Sequence, residues 1–249
     1  MPLQELSLFF PCHNEADNLE GLVADALAAL PALATTYEVI LVDDGSRDDT
    51  ATVAERLVQQ HGGVVRLVRH EVNRGYGGAL RSGFAAARYE HLAYTDGDRQ
   101  FRVADLGRLV ACAEETRAPV VIGYRLRRAD PPLRLIYATV YRIANRVWFG
   151  LRVRDVDCAA KLFQRAALRG INVHSNGAFF SAELLIRLRV AGVKFAEVGV
   201  PHYPRTAGSP TGARISVIVR AVRDFWSLRI GLWVNRSQTL AKGMALLSK

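Results

Sequence analysis

The chain has 249 residues, half of them apolar and 23% charged, with 33 Lys and Arg against 24 Asp and Glu and a formal net charge of +9. That length suits one large domain, or one domain with an appendage, and the composition excludes disordered, collagen-like and low-complexity chains. Three cysteines without a C-x-x-C spacing, Cys12, Cys112 and Cys158, argue against a disulfide framework or a zinc ribbon and point to a reducing compartment.

The first apolar run, Leu6 to Pro11, reads as a short buried strand ended by proline. Helical spacing of Leu19, Leu22, Val23, Ala26, Leu27 and Leu30 predicts a helix over 18–30. A second strand follows at 37–42, closed by Asp43-Asp44-Gly45-Ser46, and then a helix over 50–60. A third strand is expected at 64–68, a helix at 78–88, and a fourth strand at 91–95 that runs into Asp96-Gly97-Asp98. A helix over 103–115 and a fifth strand at 119–124 complete the series. Strands alternating with helices predict an α/β fold with a mainly parallel sheet flanked by helices on both faces.

After Arg125 the rhythm changes. Residues 133–151 read as one amphipathic helix or a helix pair, with Arg134, Arg142, Asn145 and Arg146 near one side. A short strand at 161–163, a helix at 182–191, a strand at 193–203 and a Gly/Ser/Pro loop at 206–212 follow. The last element, 213–234, is an amphipathic helix. It sets Ser216, Arg220, Arg223, Asp224 and Ser227 opposite Ile215, Ile218, Val219, Val222, Phe225, Trp226 and Trp233. Charged residues, mostly Arg, interrupt every long apolar stretch, so no spanning helix is expected. The start, Met1-Pro2-Leu3-Gln4-Glu5, lacks the basic region of a signal peptide.

The charge is unevenly spread. Residues 125–154 carry eight Arg and one acid, and residues 201–249 carry eight Lys and Arg and one acid, so each segment holds +7 and the rest must hold −5. A basic segment suits nucleic acid, an anionic membrane or a polyanionic substrate.

In open parallel sheets ligands bind at the carboxyl ends of the strands. Here those ends carry Pro11-Cys12-His13-Asn14-Glu15, Asp43-Asp44-Gly45-Ser46, Asp96-Gly97-Asp98 and Gly123-Tyr124-Arg125. Neither a G-x-G-x-x-G after the first strand nor a P-loop occurs, which disfavours both kinds of phosphate cradle. Clustered carboxylates repel phosphate unless a divalent cation lies between them, and Asp96 and Asp98 suit Mg²⁺ or Mn²⁺. Asp43 and Asp44 suit hydrogen bonds to a base or ribose. Either motif alone could be a plain turn; their joint placement at strand ends favours a site.

These residues resemble a known family. P-C-H-N-E (11–15), V-D-D-G-S (42–46), N-R-G-Y-G-G-A-L-R-S-G (73–83) and T-D-G-D-R-Q-F (95–101) look like family 2 glycosyltransferases of the GT-A fold. V-I-G-Y-R (121–125), D-V-D-C-A-A-K-L-F (155–163), F-F-S-A-E-L-L (179–185) and V-P-H-Y-P-R-T-A-G-S (200–209) look like the polyprenyl- or dolichyl-phosphate mannose or glucose synthases within them. The resemblance covers about Leu6 to Ser209. It implies a GT-A catalytic domain over 1–212, with 133–151 as an interface-helix insertion, and an amphipathic basic helix and tail over 213–249.

By the same resemblance, Pro11, His13, Glu15, Val42, Asp44, Asp96 and Gly97 would line the nucleotide sugar. Asp98, Asp96 and Gln100 would hold the Mg²⁺ or Mn²⁺, Asp98 foremost. Arg125, Lys161 and Arg205 would neutralise donor or acceptor phosphates. Glu183 is the spare carboxylate, readable as a base, as a positioner of Lys161 or as a surface acid. The sequence departs from its relatives at Ala160, where Gly is usual, and in the absence of C-terminal spanning helices.

The implied reaction is metal-dependent, inverting transfer of a sugar from GDP-mannose or UDP-glucose to a polyprenyl or dolichyl phosphate. Negative charge builds on the leaving diphosphate and calls for cations. A phosphate acceptor is already anionic and needs no base, whereas a hydroxyl acceptor does. The two basic helices, bearing Arg and Trp, fit an anionic membrane surface, and so a peripheral enzyme on the cytoplasmic face. Packing of these helices on the sheet, on a second subunit or on a membrane-protein partner is the alternative. A hydroxyl-directed glycosyltransferase and a non-catalytic basic protein that binds nucleic acid or membrane are the competing readings. The strand-end carboxylates disfavour nucleic acid, since they repel phosphodiesters.

Overall fold

The computed structural model describes residues 2–126, 132–205 and 215–247, with side chains left undescribed at 132–135, 215 and 235–247. The expected loop at 206–212 and the side chain of Arg134 lie outside that set.

Seven strands form one mixed sheet: β1 (Leu3–Cys12), β2 (Ala34–Asp43), β3 (Val65–Arg69), β4 (His91–Tyr94), β5 (Val120–Arg125), β6 (Lys161–Gln164) and β7 (Phe195–Val200). Their order is β3-β2-β1-β4-β6-β5-β7. Every pairing is parallel except those of β6, which runs antiparallel between β4 and β5. The central strands are buried along nearly their whole length, which is why β1 reads as a continuous apolar run rather than an alternating one.

The helices are α1 (Ala16–Leu33), α2 (Thr50–Gln60), α3 (Tyr76–Ala86), α4 (Leu106–Thr116), α5 (Pro132–Phe149), α6 (Phe180–Val190) and α7 (Ile215–Leu247). The helix expected over 103–115 is split into a 3₁₀ turn at Val103–Asp105 and α4. Helix α7 continues well past the expected end at 234. Among the described residues no helix is long and apolar enough to cross a membrane.

Two aromatic clusters set the layers. Phe9, Phe84, Tyr94 and Phe163 tie α3 to the middle of the sheet, with centroids 5.0 Å (Phe9–Phe84) to 6.3 Å (Tyr94–Phe163) apart. Close approach there requires Gly83, where a Cβ would lie 2.2 Å from the Phe9 ring. The second cluster, Phe149, Phe179 and Phe225, pins α5 and α7 to the start of α6.

Beyond these anchors the two helices bury little. Ile136, Tyr137, Val140, Ile143, Val147 and Trp148 of α5 are exposed, as are Ile218, Val219, Val222, Trp226, Ile230, Trp233 and Val234 of α7. An edge contact of 5.0 Å between Trp148 and Trp226 joins the two stripes. One sequence expectation is corrected here: Asn145 is fully buried, its amide donating to the Tyr141 carbonyl, and does not stand with the exposed Arg142 and Arg146.

Candidate active site

The carboxyl ends of β1, β2 and β4 are stitched together by their own loops. Asn14, at φ 56, turns the chain out of β1 in the left-handed region that Asn tolerates. Its backbone N–H donates to Ser46 Oγ at 2.9 Å, and its side-chain oxygen accepts from Arg47 N at 2.8 Å. The Glu15 amide donates to Thr50 Oγ1 and the Ala16 amide to Asp48. The start of α1 and the start of α2 are therefore one cross-linked unit.

The two aspartates ending β2 do different work. Asp43 accepts from the Ser46 amide at 3.0 Å, the plain-turn reading of this motif. Asp44 is 3% exposed, and its Oδ1 accepts from His70 Nδ1 at 2.7 Å and from the Arg74 amide at 2.8 Å. His70 Nε2 continues to Ser82 Oγ at 2.8 Å. The Asp44 carbonyl accepts from His13 Nδ1 at 3.0 Å, so His13 and Asp44 share a rim. Val42 is fully buried within β2 and Pro11 is buried beside it, so neither offers side-chain surface to a ligand as the resemblance implied.

At the end of β4, Asp96 and Asp98 flank Gly97. A Cβ at Gly97 would lie 3.1 Å from both Cys12 Sγ and the Pro11 carbonyl, so the glycine lets this loop sit on the end of β1. Asp96 accepts from the Tyr76 hydroxyl at 2.9 Å. Burial first, and then the charge of Asp98, push its carboxyl up to about 7. Asp98 accepts from the Gln100 amide at 3.1 Å, and its other oxygen accepts from Arg205 at 2.6 Å. Arg205 also lies 3.5 Å from Glu15, whose carboxyl is raised chiefly by burial. Gln100 is tied to Tyr203 by backbone and side chain, which holds the approach to Arg205 against the β4 end.

The buried Asp98 and the half-buried Asp96, two residues apart, offer hard oxygen donors that suit a divalent cation such as Mg²⁺ or Mn²⁺. Among the described residues no group of three or more His, Cys, Asp or Glu gathers at ligating distance. Such an ion would rest on two carboxylates at most, the usual arrangement where substrate phosphates supply the other ligands. Gln100 Nε2 faces the Tyr203 carbonyl rather than the carboxylates.

Three expected phosphate or proton partners are engaged elsewhere. Arg125 forms a bidentate pair with Asp155 at 2.7 and 2.8 Å, and both side chains are 7% exposed. Burial alone would weaken the Arg125 charge, but the Asp155 hydrogen bonds outweigh it and raise its pKa. Lys161 is fully buried; its Nζ donates to the Val156 carbonyl at 3.1 Å and to the Cys158 carbonyl, and lies 5.6 Å from the Tyr94 ring centroid. It fastens the 156–158 turn instead of reaching solvent phosphate.

Glu183 is 3% exposed and accepts from the His174 and Ser175 amides, from Ser175 Oγ and from Arg187. Burial would raise its pKa; the hydrogen bonds from Ser175, His174 and Arg187 lower it. A carboxylate so saturated makes a poor base, and it holds no contact to Lys161. Its work is to brace the 174–176 loop, whose Asn176 carbonyl accepts from the Gly77 amide at the start of α3.

Reading the sequence missed four residues that complete the site. Tyr76 supports Asp96, His70 supports Asp44, and Asp155 holds Arg125. Ser46 ties the first loop to the second. Ser46, Tyr76 and Asp155 lie inside quoted motifs, but pairing across 32, 20 and 30 positions leaves no local pattern.

A sequence model of glycosyl transferase family 2 matches residues 7–171. The chain belongs to glycosyl transferase family 2. It is 32% identical to the human dolichyl-phosphate beta-glucosyltransferase over 80% of this chain and 67% of that one. It is 31% identical to the dodecaprenyl-phosphate galacturonate synthase of Rhizobium johnstonii over 90% of this chain and 66% of that one. Against glycosyltransferase AglD of Haloferax volcanii it is 29% identical over 97% of its own length, and spans 40% of that protein. Its fold is similar to that of glucosyl-3-phosphoglycerate synthase from Mycobacterium tuberculosis solved with Mn²⁺, UDP and glucosyl-3-phosphoglycerate, with TM-score 0.69, 21% identity and coverage of 92% of this chain and 80% of that one. This family 2 enzyme is a glycosyltransferase with a GT-A-type sheet, as the resemblance implied.

Proposed function

We propose that the enzyme transfers a sugar from a nucleotide diphosphate sugar to a polyprenyl or dolichyl phosphate at a membrane surface, assisted by Mg²⁺ or Mn²⁺ at Asp96 and Asp98. The observation that carries this reading is the pairing of an acidic strand-end site, closed by Arg205, with a broad apolar face on α5 and α7. The relatives named for lipid-phosphate glycosylation support it, and the sugars in their names, glucose and galacturonate, favour a donor of that kind over a mannose donor.

The rim of His13, Asp44 and the Arg74 backbone is suited to base and ribose, with Asp44 fixed by His70. The cation would neutralise charge on the leaving diphosphate. Arg205, already beside Asp98, is placed to follow that charge as the glycosidic bond breaks, since a guanidinium fork matches phosphate oxygens. Glu183 is saturated, so the chain offers no general base there; an acceptor that is already anionic needs none. Direct displacement by such a phosphate inverts the anomeric centre. The catalytic domain would span 1–212, with α5 and the 213–249 segment laid on the cytoplasmic face of the membrane.

The test is incubation with radiolabelled UDP-glucose, UDP-galacturonate or GDP-mannose, polyprenyl phosphate and Mg²⁺ or Mn²⁺, followed by solvent extraction. Label in the lipid phase that depends on cation and on Asp98 is expected. Label confined to a hydroxyl acceptor, with none on lipid phosphate from any donor, overturns the reading.

A further inference from the structure

Away from the strand-end carboxylates, a hollow of about 730 Å³ opens where α5 ends and β7 begins. The parallel register of β5 and β7 puts Phe195 beside Val120 and Val200 beside Arg125, so this hollow lies toward the opposite end of the sheet from the carboxylates. Arg146 of α5, Arg152 of the loop that follows and Arg189 of α6 line it, and no Asp or Glu does. Among the described residues none of these three guanidiniums has a carboxylate within ion-pair distance.

The backbone at the end of α5 seats one of these guanidiniums. Gly150, at φ +66, ends α5 with its amide donating to the Arg146 carbonyl at 2.9 Å. A Cβ at this position would lie 2.8 Å from an Arg189 guanidinium nitrogen, so the glycine gives Arg189 its seat across the helix end. The negative end of α5 amounts to about half a charge, which offsets part of one guanidinium but not three. Three cations lining one hollow with no carboxylate among its lining residues are suited to an anion, and guanidinium forks match phosphate best.

The neighbouring surface says where that phosphate comes from. Val147 lines the hollow, is 70% exposed, and stands beside Trp148 on the apolar stripe of α5. A phosphate held by the arginines would therefore have its substituents led onto an apolar, Trp-bearing face, the arrangement that suits a lipid. We propose that the hollow is a headgroup site for the phosphate of an anionic phospholipid, distinct from the acceptor site, and that it fixes how the enzyme sits on its membrane. This inference rests on the membrane-surface part of the function proposed above.

The test is flotation of the full chain with phosphatidylcholine vesicles, with and without phosphatidylglycerol. Three arginines facing an anionic surface are worth on the order of 100-fold in partition. Wild type should favour the phosphatidylglycerol vesicles. Arg146→Gln, Arg152→Gln and Arg189→Gln together should lose most of that factor. An equal-charge control, Arg56→Gln, Arg88→Gln and Arg169→Gln, none of which lines the hollow, should lose about threefold or less, because single surface charges away from the contact are screened. Both triple variants should keep the wild-type melting temperature within a few degrees and the wild-type rate on detergent-dispersed acceptor.

Equal losses in the two triple variants would reduce the effect to net charge and overturn the site. No preference for phosphatidylglycerol in wild type overturns it as well. So does stabilisation by inorganic phosphate, lost in the hollow variant, without any vesicle preference, since the occupant is then a free phosphate. Vesicle binding needs neither donor nor acceptor, so this result stays readable if no lipid phosphate is ever glycosylated.

Discussion

At the carboxyl ends of the sheet the charged groups already have protein partners, whereas along α5 and α7 large apolar side chains face outward. Asp44, Asp98, Arg125 and Glu183 are each held at 2.6–2.8 Å by a named neighbour. Val147, Ile230 and Trp233 are 59–70% exposed. The first region is organised before any substrate arrives, and substitutions there should cost chemistry or folding. On the membrane reading proposed above, the second is completed by an apolar phase, and substitutions there should cost attachment alone.

The largest expected effect is at the acidic pair. Asp98→Asn removes the carboxylate facing Arg205, and a lost charge-stabilising group of this kind lowers turnover by about 10²–10³-fold. The melting temperature should stay near wild type. Transfer assays at saturating cation check this, and a near-normal rate would detach Asp98 from the chemistry.

Next comes the buried ion pair. Arg125→Gln removes the guanidinium that holds the buried Asp155 by two hydrogen bonds, a change that costs on the order of 3–5 kcal/mol of stability. Urea denaturation measures it. Asp155→Asn should cost a similar amount, and the double variant less than the sum of the two. If Arg125→Gln instead left stability intact and abolished transfer, Arg125 would belong to the site and the pair with Asp155 would be incidental.

The site's pH response follows from Asp96. Its carboxyl is raised to about 7 in the folded chain, so the native state holds a proton that the unfolded chain has released. Without cation, stability should therefore fall as pH rises from about 4 to about 7 and level off above that. A bound cation favours the ionised pair, so its stabilising effect should be larger at pH 8 than at pH 6. Thermal shift with Mn²⁺ at the two pH values checks the sign. Tyr76→Phe removes the hydroxyl hydrogen bond that favours ionised Asp96, and should raise the cation requirement by about 3–10-fold.

The smallest effect on folding is expected on the exposed face. Ile230→Ser and Val222→Ser should change stability by no more than about 0.5 kcal/mol. The same changes should weaken vesicle binding. A large loss of stability would mean that these side chains are packed, in solution, against a second subunit.

Much of the sheet is legible from one dimension. The run Leu6–Pro11 announces β1 because both its faces are buried, and Asp43-Asp44 and Asp96-Gly97-Asp98 fall at strand ends because parallel strands stop where polar loops begin. The antiparallel insertion of β6 between β4 and β5 is not legible, since a four-residue strand carries no directional signal. Lys161 and Glu183 illustrate the limit for the site. Their residue types suggested phosphate binding and proton transfer, but burial and partners are tertiary facts, and each is used to fasten a loop. The amphipathic pattern of α7 is visible in the sequence, while the exposure of its apolar side required knowing that Phe225 and Leu228 enter the core, with Ala221 and Leu232 packed against it, and that the larger apolar side chains do not.

The amine of Lys161 has a further use. The chain has only four lysines, and this one is sealed beneath Tyr94 while Lys194 is exposed on the surface. An amine-reactive reagent added to the folded protein should mark Lys194 quickly and reach Lys161 only when β6 parts from its neighbours. The rate of modification at position 161, read by mass spectrometry, would then time the opening of the sheet at the strand whose direction the sequence did not announce.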